Sequence, residues 1–107
     1  MDRDKEGGRM TNLEITRACA EAMGLERLAV NGAEVVIGMT PNRYVYRPLH
    51  DDAQAMALVK RFRLEVYCEP EHDDLWLCNE RNGEASMHAD LNRAICLCVA
   101  KMHRREA

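Results

Sequence analysis

The residues of this chain that could do chemistry are its thiols, its imidazoles, two pairs of adjacent carboxylates and one segment rich in arginine and tyrosine. Cys68, His72 and Cys78 come closest to a metal-binding pattern, because C-x3-H followed by another cysteine offers soft donors around a turn. A structural zinc site takes four ligands, usually in tight C-x2–4-C or H-x3–5-H pairs, and here His88 or His50 would have to complete the set. Strand alternation already accounts for Cys68 and Cys78 as inward-facing residues, so the trio is a weak candidate and no metal or cofactor is assigned. Cys96 and Cys98 point about 200° apart on a helix and cannot share one ion. No nucleophile elbow or comparable local arrangement surrounds the histidines, so no catalytic residue is assigned and the chain is read as a non-enzyme. Asp51-Asp52 and Asp73-Asp74 are what a helix start and a turn select for capping and solvation, and no glycine-rich phosphate loop is present.

Arg43-Tyr44-Val45-Tyr46-Arg47 is the segment best suited to a ligand. In a strand, Tyr44 and Tyr46 share one face while Arg43, Val45 and Arg47 share the other. Arginine pairs bidentately with phosphate or carboxylate, and tyrosine adds rigid contact area. Trp76 joins this set as a partner-binding candidate. Leu75 and Leu77 flank it, so one face of its strand must either expose a large apolar area or meet a partner.

These residues need elements to position them. Thr11-Asn12-Leu13-Glu14 fits a capping box, and Ile15, Ala18, Cys19, Ala22 and Met23 recur at helical spacing until Gly24 ends the helix. Leu25 to Val30 and Ala33 to Met39 are β-compatible runs around Asn31-Gly32, a strong hairpin signal. Tyr44-Val45-Tyr46 is a short strand that Pro48 ends. His50-Asp51-Asp52 opens a second helix with Ala55, Leu58, Val59 and Phe62 as its stripe and Lys60, Arg61 and Arg63 at its basic end. Leu64 to Cys68 and Leu75 to Cys78 form a second hairpin around the acidic turn Glu69 to Asp74, with a last strand near Ala85 to His88. Asp90 then caps a third helix striped by Leu91, Ala94, Ile95, Cys98 and Met102. Lys101, His103, Arg104 and Arg105 complement its C-terminal dipole. The order α-ββ-β-α-βββ-α predicts an α/β (α+β) fold, sandwich-like, with a largely antiparallel sheet and three helices packed on it.

With 107 residues, 47% hydrophobic and 31% charged, the chain is expected to form one domain over residues 10–107. Residues 1–9 mix both charge signs with two glycines and are expected to be a disordered N-terminal tail, and Met10 is an alternative natural start to Met1. A net charge of −3 disfavours bulk nucleic-acid binding. No apolar stretch approaches the roughly 20 residues of a membrane span, and the first ten residues do not form a secretory signal. Five cysteines, an odd number, are expected as reduced thiols in a cytoplasm. A short chain with six strands leaves edges uncovered, which favours a homo-oligomer.

The run Tyr46-Arg47-Pro48-Leu49-His50-Asp51-Asp52-Ala53-Gln54-Ala55-Met56-Ala57-Leu58-Val59, the later Trp76 and His88-Ala89-Asp90-Leu91-Asn92-Arg93-Ala94-Ile95 resemble small bacteriophage and prophage proteins of the ABA-sandwich type. The resemblance covers about Met10 to Met102. It implies an α/β sandwich in the cytoplasm of a bacterial host, and it carries over no activity and no binding residues. The expectation that follows is a counter-defence or host-takeover protein that blocks a host protein. An oligomeric sponge for a small nucleotide signal is the alternative, and a structural zinc module is a third. The sponge requires Arg43, Tyr44, Tyr46 and Arg47 to line a pocket, whereas the blocking protein requires an exposed apolar or charged patch.

Overall fold

A computed structural model of the chain describes residues 10–69, 71–81 and 83–106. The disordered tail expected over residues 1–9 lies outside the described residues. Elements follow in the order α1 (Asn12–Ala22), β1 (Ala29–Asn31), β2 (Glu34–Ile37), β3 (Tyr44–Tyr46), α2 (Asp52–Phe62), β4 (Glu65–Glu69), β5 (His72–Asn79), β6 (Ala85–His88) and α3 (Leu91–Glu106). The α+β class and the element order expected from sequence are those observed. All strand pairs are antiparallel, and the strands divide into two three-stranded sheets, β1-β2-β3 and β4-β5-β6.

Each helix begins where a side chain can satisfy its free amides. The Thr11 hydroxyl accepts from the Glu14 amide at 3.1 Å while the Glu14 carboxylate accepts from the Thr11 amide at 2.9 Å, which completes the capping box. Asp51 accepts from the Gln54 amide at 2.9 Å, and Asp90 accepts from the Arg93 amide at 3.2 Å. The first hairpin differs from expectation by one residue. Asn31 pairs with Glu34, so the two-residue turn is Gly32-Ala33 rather than Asn31-Gly32. Gly32 carries the positive φ of +66°, and a turn with glycine at its first central position leaves Asn31 free to pair within β1. β5 also starts earlier than expected, at His72, with a register break after Cys68.

Helices α1 and α3 run parallel. The Arg93 guanidinium donates to Asn12 at 2.6 Å at their starts, and His103 meets Glu21 at 3.0 Å near their ends. The first sheet sends Val35, Ile37 and Tyr46 into the core alongside Ile15 and Cys19 of α1. The second sheet lies against α3, which also touches α2. α3 is therefore covered from several directions, and its buried set is wider than a single stripe: Ala94, Ile95, Cys96, Cys98, Val99, Ala100 and Met102. Lys101, His103 and Arg105 of the basic cluster at its end are tied to neighbouring elements. Lys101 donates to the Ala85 carbonyl at 3.2 Å, and Arg105 pairs with Glu80 at 3.2 Å, which holds the Glu80 carboxyl below the usual carboxylate range.

Removing core volume is expected to outweigh removing a cap. Ile95→Ala should cost roughly 2–5 kcal/mol, from lost burial and the cavity left behind. Thr11→Ala should cost roughly 0.5–2 kcal/mol. Urea unfolding of the two variants checks the ranking, and a larger loss from Thr11→Ala would contradict a core centred on α3.

Candidate docking face and cleft

The arginine–tyrosine segment is split by depth. Tyr44 and Tyr46 share a face of β3, opposite Ile37 and Val35 respectively. Tyr46, next to the core, is only 4% exposed and joins the hydrophobic cluster, whereas Tyr44 at the strand end is 44% exposed. Arg43 and Arg47 are exposed at either end of the strand. Gln54 of α2 clamps that strand end by accepting from the Arg47 amide at 2.6 Å and donating to the Val45 carbonyl at 3.3 Å. Burial pushes the Tyr46 phenol well above its ordinary titration range, and its hydroxyl is enclosed without a hydrogen-bond partner among the described residues. Tyr46 serves the core, and only Arg43, Tyr44 and Arg47 present polar groups to solvent.

The cysteines and histidines are similarly dispersed. Cys78 is fully buried and Cys68 is exposed. Cys68 stands in a cross-strand row with Trp76 and His88, while Cys78 pairs with Val66 and Ser86 in the next row of the same face. The side chain of His72, the third member of that trio, lies outside the described residues. Among the described residues no three or more His, Cys, Asp or Glu side chains are gathered to hold a metal ion. His88 is occupied locally, its Nδ1 accepting from the Asp90 amide at 2.9 Å.

Trp76 turns inward and packs beside the core, so the residues flanking it turn the other way. Leu77 stands between Tyr67 on β4 and Met87 on β6, forming one row across the outer face of the second sheet. Tyr67 is 45% exposed and Met87 is 47% exposed, and none of the three packs against the core. Glu65, Asn79 and Ala85 form the adjacent row on the same face, where the Asn79 amide donates to Glu65 at 3.1 Å. An aromatic, a leucine and a methionine side by side on one sheet face form an adaptable apolar surface bordered by an acidic group. The sequence carried a partial signal in Leu75-Trp76-Leu77, which is apolar on both faces of one strand. It did not indicate Tyr67 and Met87.

A concave feature lies where α2 and α3 begin. The cleft, of about 460 Å³, is lined by Leu49, Asp52, Met56, Asp90, Asn92 and Ile95 among others. The Asn92 amide donates to Asp52 at 2.9 Å and joins the two helix starts. The two segments that carried the family resemblance, forty residues apart, thus meet across one opening. Asp90 caps α3 and Asp52 holds Asn92 of α3, which is structural work. Compared with known proteins, the chain matches no family model, no curated protein and no solved structure. Among the described residues no helix is long and apolar enough to cross a membrane.

The buried Tyr46 hydroxyl pays desolvation without a compensating hydrogen bond. Tyr46→Phe is therefore expected to leave stability unchanged or raise it by about 1 kcal/mol in urea unfolding. A loss of more than about 1 kcal/mol would show that the hydroxyl has a partner after all.

Proposed function

We propose that the chain is a small phage- or prophage-encoded binding protein, without catalytic activity, that acts by covering part of a host protein in the bacterial cytoplasm. One observation carries this reading: the row on the outer face of the second sheet in which half-buried Leu77 stands between exposed Tyr67 and exposed Met87. Apolar area spread over three adjacent strands is costly to leave in water and is the composition found at the centre of protein interfaces. The bordering Glu65 favours a partner with an apolar surface and a basic rim. Arg43, Tyr44 and Arg47 supply a secondary, exposed set of contacts on the other sheet.

Native mass spectrometry of the chain purified from infected cells tests the reading. The expected result is a complex with one host protein, whose affinity for the purified chain falls about thirtyfold or more with Met87→Lys, as at an interface hot spot. The same change should leave stability within about 0.5 kcal/mol, because the side chain is exposed. A retained nucleotide-sized mass with no protein partner, weakened by Arg43→Ala and Arg47→Ala but not by Met87→Lys, would overturn it in favour of nucleotide sequestration.

A further inference from the structure

Each three-stranded sheet has two outer strands with one edge unpaired: β1 and β3 in the first sheet, β4 and β6 in the second. Backbone donors and acceptors along such an edge are a template for another strand, and proteins block them with side chains, charge or irregular backbone. Three of the edges carry such a device. On β3 the Gln54 carboxamide takes the place of a neighbouring strand, accepting from the Arg47 amide at 2.6 Å and donating to the Val45 carbonyl at 3.3 Å. Next to β6 the Glu80 amide donates to the Glu84 carbonyl at 2.8 Å. Strand parity then turns the Ala85 carbonyl away from β5, and Lys101 donates to it there at 3.2 Å. β4 opens on exposed Glu65 and breaks register after Cys68.

The edge of β1 has none of these devices. All three of its residues, Ala29, Val30 and Asn31, are exposed and uncharged, and Val30 is 42% exposed. The Gly38 amide donates to the Arg27 carbonyl at 3.3 Å, in the same register that pairs Ala29 with Val36 and Asn31 with Glu34. Hydrogen-bonded pairs alternate along an antiparallel ladder, so Ala29 and Asn31 direct their backbone groups at β2 and the N–H and C=O of Val30 point outward. Among the described residues no side chain or loop caps them.

We infer that β1 is a self-association edge, at which two copies of the chain pair antiparallel about a two-fold axis and join their first sheets into one continuous sheet. A second copy is the occupant because this edge complements itself. With Val30 opposite its counterpart, each outward N–H meets the other copy's outward C=O, and Ala29 lies opposite the counterpart of Asn31. No charges face each other across the seam. The two Val30 side chains stand on the sheet face that carries Val35 and cover each other's apolar surface. The edge belongs to the first sheet, whereas Tyr67, Leu77 and Met87 belong to the second, so the inference does not rest on the docking reading.

Sedimentation equilibrium of the full chain over about 1–500 μM tests it. The expected result is a monomer–dimer equilibrium with no larger species, because the far edge of each joined sheet is closed by Gln54. Val30→Lys sets like charges opposite each other, and Val30→Pro removes the outward N–H without touching the ladder to β2, so each should weaken the dimer about tenfold or more. Hydrogen exchange on the unsubstituted chain keeps the test independent of how the variants fold: the Val30 amide should exchange more slowly as concentration rises. A monomer throughout the range, a dimer that Val30→Lys leaves intact, or a Val30 amide whose exchange is independent of concentration would each overturn the inference. Loss of the dimer with Met87→Lys but not with Val30→Lys would overturn it by placing self-association on the second sheet.

Discussion

The rest of the structure depends on α3 being buried from several sides by α1, α2 and the second sheet. Apart from Met102, its buried residues are small or β-branched, with Ala94, Cys96, Cys98 and Ala100 letting α1 and β5 approach closely and Ile95 and Val99 filling the spaces between. Each neighbour is also tied to it by a polar contact at its rim: Asn12 and Glu21 on α1, Asp52 at the start of α2, and Glu80 and Ala85 on the second sheet. Exposed ties of this kind are individually worth little. They orient the elements, and the burial of α3 holds the elements together.

This arrangement separates the two sheets and explains the limits of reading the chain as a string. Helix starts were legible because Thr11, Asp51 and Asp90 are local devices whose chemistry acts within four residues. The last strand, Ala85 to His88, and the number and order of elements were legible for the same reason. Division of the strands into two sheets was not, because alternation describes a strand's faces and not which strands it pairs with after a helix intervenes. The wider buried surface of α3 had a signal in the uncharged run Ala94 to Ala100, but periodicity reports one stripe and this helix is covered on more than one.

The candidate sites show the same division. Alternation put Tyr44 and Tyr46 on one face, as observed, yet depth along the strand decides that only Tyr44 meets solvent. The apolar flanks of Trp76 indicated an uncovered face, and cross-strand register was needed to bring Tyr67 and Met87 beside Leu77. The cleft between α2 and α3 depends on contact between segments forty residues apart, which no local pattern encodes.

Native-state hydrogen exchange tests the central position of α3 most directly. The amides of Ile95, Cys96, Cys98 and Val99 should exchange only through global unfolding, with the same opening free energy as Cys19 on α1 and Cys78 on β5. If the α3 amides instead exchanged through smaller openings while α1 or the second sheet stayed protected, the sheets and helices would be stable without it, and α3 would not be the organising element.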